Sequence, residues 1–294
     1  MNLNAIAQNI VFGLFVGSNY GVAAAGLSLV FGVLRVLNVA HGELLMLGGY
    51  TSFWLFALLG VDPFVSILVS APVLLLVGLV LHRGLFAAVE RLDEETRIKN
   101  SLLVSFGLGL VLQNLVQIAF TADERSVNTS YAGGSFGLFG LVFPFTRLAS
   151  LGLGCLAIVA LDQVLQRTYL GKAIRATSED WRAAALAGIN IRRTYLITFG
   201  IGAALAGVAG SLVSTGSSIA PTLGAAWTLK ALVVIVLAGM GSIFGAFAAG
   251  LLLGAAEAVS TFVFGSTYRE VVGLALFLIV LLVRPQGLFG RGLR

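Results

Sequence analysis

The sequence predicts an all-α fold, a polytopic transmembrane helical bundle of about eight spans that includes broken or half-helices. Composition is the first reason: 58% of the 294 residues are hydrophobic and 11% are charged, whereas soluble domains average about 25% charged residues. The second reason is the mean hydropathy of +1.00. The third is the content of 37 glycines, because small residues let helices approach closely in lipid. We therefore expect one transmembrane domain over residues 1–294.

Eight apolar runs define the expected spans in chain order. They cover residues 10–34, 46–59, 64–81, 101–119, 148–165, 195–213, 248–264 and 271–283. A ninth run, 231–240, is too short to cross a hydrocarbon layer of about 30 Å, so it is either a half-helix or part of the next span. Glycines in the first span predict a flat face for a neighbouring helix, at Gly13, Gly17, Gly21 and Gly26.

The connecting segments predict an orientation. Residues 82–100 form a charged loop that is long enough for a short surface helix, and residues 121–146 favour a small extended hairpin. Cytoplasmic loops of membrane proteins carry an excess of Lys and Arg. If the 82–100 loop is cytoplasmic, alternation of the spans also places on that side Arg35, the loop 166–193, Arg284, Arg291 and Arg294. Most of the basic residues then lie in the cytoplasm, and the N-terminus lies outside.

The segment 171–190 is polar inside a sequence that is otherwise almost continuously apolar. Its capping residues predict a helix. Thr177 and Ser178 can cap the N-terminus, Glu179 and Asp180 place negative charge in the first turn, and Gly188 can end the helix in the left-handed conformation. Trp181, several alanines and Leu186 lie between these marks and give the helix a face of small apolar side chains. Such a face suits docking into the groove of a partner protein. The alternative is a solvated helix that only joins two spans.

A few polar residues are expected at membrane depth, where a charged side chain is costly and is therefore a candidate for function. These residues are Asn38, His41, Glu43 and Glu257, with Asp162 near the end of a span. Asn38 and His41 share one face of a helix, and Glu43 lies on another. The first two either line a transport pathway or bond the free backbone groups of a broken helix. For Glu257 we expect a structural hydrogen bond.

The sequence offers no catalytic residues and no metal site. Its glycine-rich strings lack the phosphate-loop ending Gly-Lys-Ser/Thr, so we expect this chain not to bind ATP itself. His41 and His82 are far apart in sequence, which gives no metal-ligand spacing, and Cys155 lies in an apolar run, where we expect it to pack. The net charge of +5 reports membrane orientation and does not indicate nucleic acid binding.

Four segments together carry a resemblance to a known family. They are RVLNVAHGELLMLGGY, LGKAIRATSEDWRAAALAGINI, VIVLAGMGSIFGAFAAG and LLVRPQGLFG. In this order and at these separations they resemble the inner-membrane permease subunit of branched-chain amino acid ABC importers, over nearly the whole chain. The chain is similar to the shorter, H-type permease of the high-affinity leucine/isoleucine/valine system, because it lacks the longer N-terminal region and the C-terminal extension expected of the partner permease.

The resemblance implies a set of partners and a location. This subunit would pair with a second permease in a heterodimer, two cytoplasmic ABC ATPases would use ATP to drive it, and an external solute-binding protein would deliver the amino acid. The location would be the bacterial cytoplasmic (inner) membrane, with lipid around the spans. The 171–190 helix, within the loop 166–193, would couple to the ATPases through Gly171, Arg175, Glu179, Asp180, Ala184 and Gly188.

The resemblance also marks a second site. Residues of this chain match the family's Asn-x-Ala-His-Gly segment, and the match assigns Asn38, His41, Gly42 and Glu43 to the translocation pathway or to a helix break. A hydrophobic amino acid needs a path that is apolar for its side chain and tolerates its zwitterion. A glycine-broken helix with free backbone groups offers both.

Three alternatives remain open at this point. Permeases for urea and short-chain amides share these motifs, so the substrate class is not fixed. An ion-coupled secondary transporter or a channel would also be an eight-span bundle with few buried charges, but it would have no need of a large cytoplasmic helix. A membrane-embedded enzyme would show clustered catalytic groups, and the sequence contains none.

Overall fold

The chain forms a helical membrane bundle, described here from a computed structural model of residues 3–290. Within that range, eight helical segments are long and apolar enough to cross a membrane, and one shorter apolar helix accompanies them. The predicted all-α bundle of about eight spans is therefore confirmed. Two of the basic residues used to predict orientation, Arg291 and Arg294, lie outside the described residues.

The elements follow one another along the chain with short connections. The helices are α1 (Leu3–Leu34), α2 (His41–Leu59), α3 (Ile67–Leu81), α4 (Ala87–Val89), α5 (Glu94–Phe120), α6 (Phe145–Arg167), α7 (Tyr169–Glu179), α8 (Trp181–Leu186), α9 (Ile191–Ser214), α10 (Leu223–Ala238), α11 (Ile243–Phe264) and α12 (Arg269–Val283). A π-helical turn (His82–Phe86) joins α3 to α4, and a 3-10 turn (Ser266–Tyr268) precedes α12. Strands β1 (Ser135–Leu138) and β2 (Leu141–Pro144) form an antiparallel hairpin, as predicted.

The core is built on close helix contacts at glycines. Helix α9 is buried along most of its length and packs against α1, α2 and α3. Helix α1 runs antiparallel to α11: a Cβ atom added at Gly17 would lie 2.5 Å from the carbonyl oxygen of Gly250. Gly13 and Gly21 face α11 in the same way, whereas Gly26 faces α9. The flat face predicted for the first span is therefore confirmed, and only glycine fits on it.

The ninth apolar segment is a separate half-helix, α10. Its 16 residues extend about 24 Å at 1.5 Å per residue, which is less than the hydrocarbon thickness of about 30 Å. A break at residues 239–242 separates α10 from α11. The predicted bounds, 231–240, were wrong because α10 begins at Leu223. Thr228 and Lys230 interrupt the apolar pattern in sequence, yet both side chains bond polar groups of other helices.

Residues 82–100, predicted to be a charged loop with a short surface helix, instead extend the spans on either side, which corrects that prediction. Helix α3 continues through the π-helical turn to Val89, and α5 already begins at Glu94. His82 and Glu90 are buried and bond each other at 3.0 Å between Nε2 and Oε2, so two polar residues of the supposed loop belong to the folded body. The side chain of Asp93 caps α5 by accepting from the amide of Thr96, and this bond lowers the pKa of Asp93.

The long segment between α5 and α6 is tied to the neighbouring turn. The Tyr131 hydroxyl donates to the carboxylate of Asp62, and the Tyr131 ring stacks on Phe64 with 6.3 Å between centroids. Burial, reinforced by this hydrogen bond, raises the pKa of Tyr131 to about 12. These contacts attach the segment before the hairpin to the turn between α2 and α3.

The single cysteine does not pack in the core. Cys155 is exposed on the outer surface of α6, so the predicted packing role was wrong. An apolar run alone does not tell which face of a membrane helix meets lipid and which meets protein.

Candidate functional site

The first part of the site is the extended segment between α1 and α2. The backbone amides of Leu37 and Val39 donate to the hydroxyls of Ser101 and Ser105 on α5, at 3.0 and 2.9 Å. The Ser105 hydroxyl in turn reaches the carbonyl oxygen of Leu37 at 3.2 Å. Because these hydroxyls replace the missing helical bonds, the chain can run without a helix inside the bundle.

This segment returns the chain deep into the bundle before α2 begins. The Nε2 atom of His41 lies 2.9 Å from the carbonyl oxygen of Ala23. At 1.5 Å per residue, Ala23 lies about 16 Å before the end of α1 at Leu34. Helix α2 therefore starts in the interior of the bundle, which makes it a broken helix of the kind expected from the sequence.

The predicted residues Asn38, His41 and Gly42 are brought together at this break. Asn38 Oδ1 accepts from the amide of Ala40 at 3.1 Å, and the amide of Gly42 donates to Thr228 Oγ1 of α10 at 2.9 Å. The Thr228 hydroxyl donates to the carbonyl oxygen of Val39 at 2.8 Å. Asn38 and His41 are both almost fully buried. Asn38 bonds a backbone amide beside the break, as in the second interpretation, whereas His41 contacts a carbonyl oxygen in the middle of the continuous helix α1.

Glu43 differs from its neighbours because its carboxylate is not satisfied. The residue is 4% exposed, and its Oε2 atom has no hydrogen-bond partner within residues 3–290. The carboxyl group lies directly on Gly224: a Cβ atom added there would be 2.2 Å from the Glu43 Cδ atom. The Cγ atom also approaches Gly109 of α5. The glycines on α5 and α10 thus make room for one buried acidic side chain.

The adjoining face of α5 is open and partly polar. This helix buries Ser101, Ser105, Leu108 and Val116 and leaves most of its other side chains exposed. Gln113, Asn114 and Gln117 lie on or near the exposed side, and Asn114 donates only to a carbonyl oxygen of its own helix. Amide side chains are rarely turned toward lipid. This face therefore fits contact with water or with another protein.

The second predicted site, the 171–190 segment, contains two helices where one was expected. Asp180 separates α7 from α8 and caps α8, accepting from the amides of Arg182 and Ala183. Gly188 has a φ of +86° and ends α8 in the left-handed conformation, as predicted. The predicted caps Thr177 and Ser178 were wrong, because their hydroxyls bond carbonyl oxygens of their own helix, α7.

The six residues predicted to couple to ATPases divide into a surface group and a buried group. Arg175, Glu179, Asp180 and Gly188 are exposed. Gly171 is packed on the end of α6, and Ala184 is only 4% exposed, so these two support the segment from inside. The most prominent apolar side chain is Leu186, at 92% exposed, and the half-exposed Trp181 stacks with Arg182. The sequence analysis gave Leu186 a place on the apolar face but not among the coupling residues.

Glu257 belongs to a buried charge cluster whose other members were not predicted from the sequence. Glu257 Oε1 bonds Lys230 Nζ at 2.5 Å, and Oε2 bonds Arg269 Nε at 2.9 Å and the Tyr20 hydroxyl at 3.1 Å. The structural hydrogen bond expected for Glu257 is confirmed. The only sequence signal for its partners was that Lys230 and Arg269 border apolar runs.

Comparisons with known proteins agree with this architecture. The family model described as the permease component of branched-chain amino acid transport systems matches residues 9–281. The high-affinity branched-chain amino acid transport system permease protein BraD of Pseudomonas aeruginosa is 34% identical over 300 residues, covering 97% of this chain and 95% of the relative.

Two further relatives define the range of similarity. The high-affinity branched-chain amino acid transport system permease protein LivH of Escherichia coli is also 34% identical, over 97% of this chain and 95% of its own length. The ribose import permease protein RbsC of Escherichia coli is 25% identical over 89% of this chain and 81% of its own length. The chain is therefore a multi-pass membrane protein that belongs to the family of branched-chain amino acid transport system permease components.

Proposed function

We propose that this chain is the membrane-spanning permease subunit of an ATP-driven importer for branched-chain amino acids. The observation that carries the proposal is the similarity to BraD and LivH, which extends over nearly the whole of each chain. The apolar bundle has one exposed amphipathic segment between α6 and α9. This architecture fits a subunit that forms the translocation pathway and is driven by partner ATPases. ATP would be used by partner ATPases.

The proposed assembly contains five kinds of component. A second permease subunit pairs with this one in a heterodimer, two cytoplasmic ABC ATPases attach below, an external solute-binding protein attaches above, and lipid of the bacterial inner membrane surrounds the spans. No nucleic acid takes part. The open face of α5, with Asn114 and Gln117, fits contact with the second permease and with the water of the path.

The translocation pathway is proposed to run along α5 and α10. There the break at Asn38, His41 and Gly42 sets the shape of the wall, because the chain returns into the bundle without a helix and α2 begins there. Glu43 supplies the only charge of this group. Half-helices and breaks of this kind let a bundle rearrange without unsatisfied backbone groups in lipid.

Coupling to the ATPases is proposed to occur through α7 and α8. Their exposed residues Arg175, Glu179 and Asp180 and the apolar side chain of Leu186 form the surface that a groove would receive. Helix α7 packs against α1, α6 and α9. A displacement of α7 is therefore transmitted to α9, the most buried helix of the bundle. Such a displacement can switch the translocation pathway between outward and inward access.

The test is uptake of radiolabelled leucine, isoleucine, valine and urea into cells expressing the chain with the ATPases, second permease and binding protein of the proposed assembly. Wild type is compared with Leu186→Glu, which places a charge on the apolar docking face. We expect ATP-dependent uptake of branched-chain amino acids by wild type, loss of uptake in the variant, and loss of ATPase copurification. Phe139→Glu, at the hairpin tip, is a matched control because Phe139 is 91% exposed, and it should retain the ATPases.

The outcomes separate the alternatives. Uptake of urea alone would assign the chain to the amide permeases. Uptake that persists in Leu186→Glu or without the ATPases would contradict the coupling proposal and favour an ion-coupled secondary transporter.

A further inference from the structure

The feature that the transport proposal leaves without a role is the unsatisfied carboxylate of Glu43. Among the side chains of residues 3–290, no Lys, Arg or His forms an ion pair with it. An unpaired carboxylate inside a membrane bundle is costly, so its position calls for a partner that the isolated chain does not contain.

Two helix N-termini meet at this carboxylate. Glu43 lies in the first turn of α2, and it contacts Gly224 in the first turn of α10. The first amides of a helix have no intrahelical partner and carry partial positive charge. Within the described part of the chain, no side chain caps the N-terminus of α10. In the notch between α2, α5 and α10, the Glu43 carboxylate therefore lies beside the partially positive start of α10. The amide of Leu223 there already bonds the carbonyl oxygen of Ala220 at 3.0 Å, and the first amides of α2 bond Asn38, Thr228 and Ala40.

The mouth of the notch is lined by small and apolar groups. Ala225 and Ala226, which follow Gly224 in α10, are exposed. Phe106 lies one turn before Gly109 on the same face of α5 and is exposed, as is Leu229 of α10. An apolar side chain of moderate size can lie on this surface while a polar group reaches the carboxylate.

We propose that this notch is a binding site for the zwitterionic end of the transported amino acid. The Glu43 carboxylate receives the α-ammonium group, the amides that follow Leu223 in the first turn of α10 receive the α-carboxylate, and the aliphatic side chain lies toward Phe106 and Leu229. The inference rests on the proposed function and names the contact through which the substrate is held during transit. The ammonium group supplies a local partner for the Glu43 carboxylate, and the α-carboxylate carries the remaining negative charge to the start of α10.

The alternative is that Glu43 only stabilises the positive N-terminal ends of the α2 and α10 dipoles. That role requires a negative charge but no ligand. Substrate protection distinguishes the two, since a carboxylate that merely neutralises helix ends would not change the access of a reagent when leucine is added.

The first experiment uses membranes that carry the assembled permeases and ATPases without the binding protein. In a Cys155→Ser background, Ala225→Cys is labelled with a maleimide in the presence of increasing L-leucine. We expect leucine to slow labelling, isoamylamine to slow it more weakly, and 4-methylpentanoate, which lacks the ammonium group, to have no effect. With Glu43→Gln added, protection by leucine should be lost. Ala132→Cys, in the exposed turn before β1, is the control, and leucine should not change its labelling.

Equal protection with and without Glu43→Gln would overturn the proposal, as would the absence of protection in the parent. If Ala225→Cys does not assemble, Ala226→Cys serves as the reporter. Protection by urea but not by leucine would also overturn the assignment of a zwitterion.

The second experiment measures binding-protein-dependent uptake of leucine. Glu43→Gln keeps the shape of the side chain, and we expect uptake to fall about tenfold, the effect of losing one charge-assisted hydrogen bond, with unchanged membrane abundance. If wild type takes up leucine and Glu43→Gln takes it up equally well, the proposed binding site is contradicted, but the transport function is not. No uptake of leucine by wild type would contradict the transport function itself, so the two failures are distinguishable.

Discussion

Two buried carboxylates of this protein have opposite surroundings. Glu257 of α11 is 1% exposed and bonds Lys230, Arg269 and Tyr20, which come from three different helices. Glu43 of α2 is nearly as buried, yet one of its oxygens has no partner within the described chain. Both lie beside the half-helix α10, Glu257 through Lys230 and Glu43 through Gly224.

The difference separates structure from function within one bundle. The Glu257 cluster joins α1, α10, α11 and α12, so its bonds hold the half-helix in place. Within residues 3–290, the Glu43 side chain has no hydrogen bond, and it lies against Gly224. Removing one member of a paired buried carboxylate is costly for the fold, whereas an unpaired carboxylate is available to a ligand. Substitutions at the two positions should therefore affect different measurements.

The largest effect on stability is expected at Glu257. Glu257→Ala leaves Lys230 and Arg269 without their carboxylate partner, and breaking a buried pair costs about 3 kcal/mol or more. We expect low membrane abundance and an early midpoint in SDS unfolding of the purified protein in mixed micelles. The double variant Lys230→Met, Glu257→Met should recover most of the loss, because it removes the more buried ion pair, while the remaining charge, Arg269, is 43% exposed and keeps its bond to the Tyr20 hydroxyl. A double variant as unstable as the single one would contradict the ion-pair explanation.

The seam between α1 and α11 should give the next largest effect. A Cβ atom added at Gly250 would lie 2.4 Å from the backbone nitrogen of Gly21. Gly250→Ala must therefore separate the two helices, and overpacking of this kind costs about 1–3 kcal/mol. Gly152→Ala on α6 is the matched control, because an added Cβ there meets nothing within 4 Å. Equal unfolding midpoints for the two variants would show that the seam is looser than the contacts indicate.

The parts of this architecture that could be predicted are those set by local pattern. Apolar runs located the spans, the glycines of α1 predicted its close contact, and Gly188 predicted the end of α8. The start of α10 could not be predicted, because Thr228 and Lys230 are satisfied by Gly42, Val39 and Glu257 from distant parts of the chain.

The same limit applies to the candidate sites. Charge made residues 82–100 resemble a loop, although His82 and Glu90 pair inside the bundle. Alanine gives no sign of which face it occupies, so the burial of Ala184 could not be read from the sequence. The match of Asn38, His41, Gly42 and Glu43 to a family segment located the break, but the contrast between a bonded His41 and an unpaired Glu43 required the three-dimensional contacts.

A smaller loss of stability is expected at Ser105, which supports the segment before α2. Ser105→Ala leaves the amide of Val39 without its partner, at a cost of about 1–2 kcal/mol for an unsatisfied buried donor. Uptake should fall with it, because the position of α2 depends on this segment. The unfolding midpoint tests the first effect. Ser218→Ala, whose hydroxyl bonds the exposed carboxylate of Glu124, is the control and should leave both measurements near wild type.

The smallest change in stability is expected at Glu43, despite its burial. Glu43→Gln removes no hydrogen bond to Oε2, and it relieves an unpaired charge. Its unfolding midpoint should correspond to a free energy within about 0.5 kcal/mol of wild type, the range of substitutions that break no specific interaction. Measured side by side, Glu257→Ala should lose stability, and Glu43→Gln should lose uptake without losing stability. If Glu43→Gln unfolds at as low an SDS concentration as Glu257→Ala, then Glu43 also stabilises the fold. The two carboxylates would then not differ in role, and the assignment of Glu43 to function would be contradicted.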